Sequence, residues 1–134
     1  MDRSLNQASP YMLSALRIVV GLLFLEHGTQ KLFGFPSALG PGPALYSLLG
    51  LQGVMEVVGG ALILVGLFTR QIAFVLAGNM AVAYFMSHAP ASFFPVLNRG
   101  DAAVLYCFIF LYLFFAGGGP WSLDNARIRK RRER

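Results

Sequence analysis

The chain has 134 residues, enough for one domain, and 56% of them are apolar while only 13% are charged. Soluble domains have about a quarter of their residues charged. This composition, with a mean hydropathy of +0.60, therefore excludes an ordinary soluble domain and predicts a membrane protein. The net charge of +5 comes mainly from residues 120–134, which contain six Lys/Arg and two acidic residues. The basic run has no interleaved stacking aromatics, so no nucleic-acid partner is expected.

The N-terminal residues do not resemble a cleavable signal peptide. Asp2 and Arg3 cancel in charge, and no small-residue cleavage site follows a short apolar core. The first apolar segment is therefore expected to be a retained helix.

Four apolar segments predict helices that cross a membrane. Each is close to the roughly 20 residues that a spanning helix needs, and none alternates as a barrel strand would. The segments cover about 10–33, 44–68, 71–89 and 101–117.

The connections between these segments are short. Gly/Pro-containing loops cover 34–43 and 89–100, and a tight turn covers 68–71. Short connections favour antiparallel neighbours, so the expected fold is an all-α integral membrane four-helix bundle. We assign residues 1–126 to this transmembrane domain and residues 127–134 to a basic cytoplasmic tail.

The distribution of basic residues predicts the orientation. The tail and Arg70 lie on one side of the membrane, while Arg99 and Lys31 lie toward the other. The positive-inside rule then places both termini in the cytoplasm of a bacterial-type inner membrane, with Trp121 as an interfacial anchor. The tail is interpreted as a topology determinant that contacts anionic lipids, with protein binding as the alternative.

Cysteine usage excludes a dithiol redox mechanism within this chain. Cys107 is its only cysteine and is expected to be a small buried apolar residue. No CxxC or zinc pattern is present, and no metal site is expected.

Polar residues inside the apolar segments are the candidates for function, since a charge at the membrane centre costs about 2.5–3.5 kcal/mol. On the first segment, a spacing of four and three residues places Arg17 and Lys31 on one stripe with Gly21, Phe24 and Gly28. This stripe should face other helices. The candidates for ligand binding or proton relay are Arg17, Glu26, His27, Lys31, Glu56, Asn79, His88 and Asp101.

Arg17 and Glu56 are expected to pair across the bundle, unless Glu56 is protonated. The alternatives are a buried ion pair that fixes helix register, or a polar pocket for a small hydrophobic ligand or a proton-coupled cofactor. For the outer residues the alternative is snorkelling to the interface. His27 and His88 lie at similar depth, where two axial haem ligands are geometrically possible, but hydrogen-bonded neighbours are the preferred interpretation.

The motifs, taken in order, resemble the DoxX family of small four-helix membrane proteins. Helix one has Arg17, Gly21 and HGTQK, and helix two has the EVVGG element at Glu56 followed by GLFTR. The last helix is preceded by NRGD, where Asp101 replaces the family's more frequent Glu, and is followed by GGGPWSLD. The resemblance implies an inner-membrane protein; some relatives are subunits of a thiosulfate:quinone oxidoreductase, and others are linked to membrane redox complexes or thiol homeostasis.

Three functions are compatible with these residues. The first is a redox-associated subunit that binds a quinone and receives electrons through a partner, because no self-contained catalytic or cofactor-binding motif is present. The second is a non-catalytic membrane subunit or assembly partner whose charges serve packing. The third and weakest is a transporter, which would require the four helices to oligomerise; a homo-oligomer is left open.

Overall fold

The computed structural model describes residues 2–38 and 40–134 and is helical, with no strand in these ranges. The helices are α1 (Asp2–Phe33), α2 (Leu48–Val65), α3 (Thr69–Ala83), the single turn α4 (Pro95–Asn98), α5 (Asp101–Ala116) and α6 (Leu123–Arg132); α3 continues into a π-helical turn, Tyr84–His88.

Helix ends differ from the apolar limits of the sequence, and at the start of α2 a polar side chain caps the helix. α1 begins well before Pro10, which lies inside the helix. α2 begins after Ser47, whose Oγ accepts a hydrogen bond from Gly50 N at 3.1 Å and caps the helix. α6 covers the point at which the sequence places the start of the tail.

Glycines let α1 and α2 pack backbone to backbone. A Cβ on Gly21 would lie 2.6 Å from Leu64 N, and a Cβ on Gly60 would lie 2.7 Å from Leu25 N. The two helices run in opposite directions, since Arg17 contacts the C-terminal end of α2 and Lys31 contacts Glu56 further toward its start. Close approach of this kind is typical of helices packed through small residues.

The apolar core joins this helix pair to α3 and α5. α3 packs mainly on α5, and α1 contacts α5 only slightly. Phe24 of α1 lies edge-on to Phe110 of α5, with ring centroids 5.0 Å apart. The buried core residues are Val20, Phe24, Ile63, Ala73, Leu76, Ala77, Met80, Phe110 and Leu113.

Arg17 joins the helices at one end of the molecule, which we call the tail-side end because α6 lies there. Its side chain is fully buried. Nη1 donates to the carbonyls of Ile63, at 2.7 Å, and Leu64, which belong to the last turn of α2. Nε donates to Gly118 O at 2.8 Å, and Nη2 donates to Trp121 O at 2.9 Å. The guanidinium therefore caps α2, where the helix dipole favours a cation, and fixes the chain after α5.

Two further residues cap helices at the tail-side end. The carboxylate of Asp124 accepts hydrogen bonds from Phe68 N and Thr69 N, both at 2.8 Å, and so caps α3. Phe68 has a φ of 52°, and this pair of bonds holds it in the left-handed region. Arg70 donates to the carbonyls of Phe114 and Phe115 and caps α5. At this end, α2, α3 and α5 are thus each capped by a residue that lies far away in the chain.

The opposite end of the molecule, which we call the loop-side end, contains the loop of residues 89–100. A buried asparagine, Asn98, fixes this loop. Asn98 donates to Ser92 O at 2.5 Å and to Tyr84 Oη at 3.3 Å. Its Oδ1 accepts from Gly100 N at 2.7 Å. The loop is thereby fixed against the π-helical turn Tyr84–His88, which together with α3 we call the α3 segment.

Within the described residues, two helices are long and apolar enough to cross a membrane by length and composition. They are Arg3–Phe33, with a mean hydropathy of 1.7, and Leu48–Val65, with 2.0. α5 is a shorter apolar helix.

Candidate functional site

Glu56 and Lys31 form an ion pair near the loop-side end. Lys31 Nζ lies 2.5 Å from Glu56 Oε1. The Glu56 side chain is 3% exposed and that of Lys31 is 22% exposed, so the carboxylate is buried and the lysine is partly buried. The second carboxylate oxygen, Oε2, is buried and has no hydrogen-bond partner within the described ranges 2–38 and 40–134.

Glycines again determine which side chains meet. A Cβ on Gly28 would lie 2.9 Å from the Cβ of Glu56, and a Cβ on Gly53 would lie 3.5 Å from the Cβ of Lys31. Because both positions lack a side chain, the two helices approach closely enough for the short Glu56 side chain to reach across.

Glu56 lines a small cavity between α1, α2, the α3 segment and α5, which we call the loop-side cavity. Its volume is about 110 Å³. Its polar lining residues are His27, Lys31, Gln52, Glu56, His88 and Tyr106, and its apolar lining residues include Phe24, Met80 and Ala103. It therefore combines an apolar wall with converging polar groups, as small-molecule sites do.

Two aromatic rings form one side of the cavity. His27 and Tyr106 pack edge to face with ring centroids 6.0 Å apart. Tyr106 also packs against Phe24 at 5.4 Å. These contacts fix the Tyr106 ring between the apolar core and the polar residues of the cavity.

His88 reaches the cavity from the π-helical turn. Its Nδ1 lies 3.0 Å from the Asn98 carbonyl oxygen. Because a carbonyl can only accept, Nδ1 carries the proton, which leaves Nε2 as the acceptor of the neutral ring. π-Helical turns occur frequently at functional sites.

The structure brings together four of the eight candidate residues. His27, Lys31, Glu56 and His88 line the loop-side cavity. The cavity is much smaller than a tetrapyrrole, so the geometry gives no support to a haem between the two histidines.

The other four candidates lie elsewhere. Glu26 and Asp101 are exposed, and Asp101 lies in the first turn of α5. Asn79 is half-buried outside the cavity, and its Nδ2 has no partner among the described residues. Arg17 lies at the tail-side end.

The expected pairing of Arg17 with Glu56 is wrong. Arg17 donates to four backbone carbonyls, and Glu56 pairs with Lys31 instead. The reason is register. Arg17 precedes Lys31 by 14 positions, or about 21 Å along a helix, and the antiparallel α2 places its C-terminal carbonyls, not Glu56, opposite Arg17.

Tyr106 of α5 is a cavity residue that was not predicted from the sequence. It faces the cavity although it lies on a helix that is apolar nearly all round. The available signal was a hydroxyl-bearing ring beside two alanines, Ala102 and Ala103, which leave room for it. Among the described residues, no group of three or more His, Cys, Asp or Glu could hold a metal ion.

Comparison with known proteins gives the family. The DoxX family matches residues 12–89. A protein of Haemophilus influenzae described as uncharacterized is 44% identical over 132 residues, covering 95% of this chain and 98% of its own. An uncharacterized membrane protein of Mycobacterium tuberculosis is 36% identical over 148 residues, covering 96% of this chain and 88% of its own. No solved structure matches the chain significantly.

These comparisons and the long apolar helices define a helical membrane protein. Within that class, the chain belongs to the DoxX family. The family match covers α1 from Met12 onward, α2 and the α3 segment, and so includes every residue of the loop-side cavity except those of α5.

Proposed function

We propose that the loop-side cavity binds the head group of a quinone and that the chain is a redox-associated subunit of the inner membrane. In this proposal α1, α2, α3 with its π-helical turn, and α5 cross the bilayer as an up-and-down bundle with both termini in the cytoplasm. The observation that carries the proposal is the buried Glu56 Oε2, which lacks a partner in the part of the chain that the structure describes. A buried carboxylate oxygen without a partner is costly, and a ligand hydroxyl would supply the missing hydrogen bond.

The polar residues suit the two chemical states of a quinone. An ionised Glu56 accepts a hydrogen bond from a quinol hydroxyl, and a protonated Glu56 donates one to a quinone carbonyl. Lys31 retains donors beyond the one it uses on Oε1, and the exposed His27 lines the cavity with ring nitrogens that can donate or accept a hydrogen bond. The site can therefore bind the head group and exchange its protons.

The size of the cavity limits what enters. Its volume of about 110 Å³ is below the 300–1,000 Å³ of sites for drug-sized ligands. A single ring fits this description, and an isoprenoid chain would remain outside among the apolar side chains and lipids. Electrons would come from a partner redox protein or membrane complex.

The proposal is tested by quinone binding to the purified protein in nanodiscs, measured by photolabelling with an azidoquinone and peptide mapping. We expect label on the peptides that contain His27 and Glu56. Glu56→Gln removes a charge-assisted hydrogen bond of about 1.5–3 kcal/mol, so the apparent affinity should fall about tenfold or more; His27→Ala should also weaken labelling.

Glu26→Gln is the matched control, because it makes the same chemical change one residue before His27 on an exposed side chain outside the cavity. We expect it to bind quinone like the unmodified protein. Equal labelling of the Glu56→Gln and Glu26→Gln variants would refute the assignment of this site.

Arg17 supports a second candidate, a non-catalytic subunit or assembly partner. Its guanidinium is engaged by four carbonyls at the tail-side end and is unavailable to a ligand. If packing alone explained the buried charges, a co-purifying complex would survive both Glu56→Gln and His27→Ala, and no quinone would be retained.

A further inference from the structure

We propose that a groove at the tail-side end binds one anionic phospholipid molecule. The groove, which we call the tail-side groove, has a volume of about 670 Å³ and lies between α1, α3, the segment after α5, and α6. Its lining mixes polar and charged groups with apolar ones and includes Pro10, Arg70, Gly118, Asn125 and Ile128. Such a lining suits a polar head group with its glycerol.

The tail-side groove continues into an apolar furrow. The furrow has a volume of about 370 Å³ and runs along α1, where Leu5, Met12 and Leu16 line it. Both concavities share Ser9, Leu13 and Tyr112. The furrow exists because α1 and α5 contact each other only slightly. A polar recess that opens onto an apolar furrow matches an amphiphile with a head group and an acyl chain.

The charges of the groove favour an anion. Arg70 uses Nη1 on the α5 carbonyls, and its exposed guanidinium lines the groove. Asp124 also lines it, but both of its oxygens accept backbone N–H groups at the start of α3, which compensate its charge. The other cations of this end belong to α6, whose Asn125 and Ile128 line the groove while its basic residues lie outside the lining.

α6 is held rigidly beside the groove. Asp124 N donates to Gly66 O at 3.0 Å, in addition to the two bonds of its carboxylate. The Arg127 guanidinium lies 5.7 Å from the centre of the Phe68 ring, a cation–π contact. The basic side chains of α6 therefore stay on a helix that borders the groove, where each Lys or Arg near the membrane surface attracts anionic lipid.

Aromatic side chains mark this level as an interface. Tyr11 and Trp121 are both half-exposed or more, and their ring centroids are 5.7 Å apart. Trp and Tyr prefer the depth of the lipid head groups. The groove thus lies where a phosphate would be found. This inference needs the chain to lie in a membrane but does not need a quinone at the opposite end.

Trp121 is the single tryptophan of the chain and directly follows Pro120, which lines the groove. We would reconstitute the full chain in phosphatidylcholine vesicles and add phosphatidylglycerol or phosphatidylcholine with brominated acyl chains, which quench tryptophan on contact. We expect the relative association constant from Trp121 quenching to favour phosphatidylglycerol by about fivefold or more, as one basic contact provides.

Two variants separate the groove from the general attraction of the tail. Ser9→Phe fills the junction of groove and furrow and should abolish the preference, while Gln7→Phe, on α1 outside both concavities, should keep it. Arg70→Gln should reduce the preference about fivefold, whereas Arg129→Gln removes the same charge from α6 outside the groove and should have a smaller effect.

Equal quenching by the two lipids in the unmodified protein would overturn the proposal. So would a preference that survives Ser9→Phe, or that falls equally in Arg70→Gln and Arg129→Gln, because both results describe a diffuse attraction to the tail. A polypeptide found in the groove by crosslinking from Ser9, in place of lipid, would also overturn it.

Discussion

Single residues decide how this chain accommodates charge among apolar helices. Arg17 and Lys31 lie on the same face of α1, yet they meet different partners. Arg17 has five N–H donors in a planar fork and ends on backbone carbonyls, an arrangement that a lysine cannot reproduce. Lys31 has a compact ammonium and ends on one carboxylate oxygen. Arg17 therefore stabilises the fold through backbone contacts, while Lys31 leaves the second carboxylate oxygen of Glu56 without a hydrogen bond from it.

The Lys31–Glu56 pair should behave asymmetrically when it is cut. Lys31→Met leaves a buried, uncompensated carboxylate and should destabilise the protein by about 3 kcal/mol, the low end for buried pairs because Lys31 is 22% exposed. Replacing both residues, Lys31→Met with Glu56→Met, removes the charge and should restore most of the stability. Thermal unfolding in detergent micelles, followed by circular dichroism, measures both.

Lys31→Met has a matched control in Arg99→Met, which removes one exposed cation from the same end of the molecule. The free energy of unfolding of that variant should lie within about 0.5 kcal/mol of that of the original protein. If the double variant were less stable than Lys31→Met alone, Lys31 would not be the partner of Glu56 that the structure shows.

At the scale of elements, glycines determine which helices touch. α1 and α2 meet through Gly21, Gly28, Gly53 and Gly60, and each of these four would place a Cβ under 3.0 Å from the opposite helix. This contact sets the register that brings Lys31 to Glu56 and Arg17 to the end of α2. Helix packing and the polar sites therefore depend on the same positions.

Gly60→Ala should destabilise the protein by about 1–3 kcal/mol, because its Cβ would lie 2.7 Å from the backbone N of Leu25 and neither helix can yield without moving. Gly78→Ala is the control: it lies inside α3, is exposed, and has nothing within 4 Å among the described residues. Its stability should stay the same or rise by up to about 1 kcal/mol. Unfolding temperatures of both variants distinguish packing from helix propensity, and equal changes would exclude the close approach.

The sequence predicted the elements better than their contacts. Apolar length located the long helices, and spacing on α1 placed Arg17, Gly21, Phe24 and Gly28 on one face, which is buried. Periodicity gives the face of one helix but not its register against another, so Arg17 was given the wrong partner. The capping of α3 by Asp124 could not be predicted either, because Asp124 lies 56 positions after Phe68 and 55 positions after Thr69 in the chain.

At the scale of the whole molecule, the two ends differ in chemistry. The tail-side end uses its polar groups on backbone atoms, through Arg17, Arg70 and Asp124. The loop-side end retains an unpaired carboxylate oxygen on Glu56, for which residues 2–38 and 40–134 offer no partner. A rigid end and a chemically unsatisfied end suit a protein that is anchored at one membrane face and binds a ligand near the other.

The distribution of Lys and Arg predicts the orientation of the chain in the membrane. Excess Lys/Arg beside the last long helix should keep the tail-side end in the cytoplasm. In a Cys107→Ala background, Ser37→Cys in the first loop should react with a membrane-impermeant maleimide in intact spheroplasts, whereas Asn125→Cys in α6 should react only after lysis. Both positions are exposed, so reactivity after lysis controls for accessibility. Labelling of Asn125→Cys before lysis, with Ser37→Cys protected, would reverse the orientation and place the Glu56 cavity toward the cytoplasm.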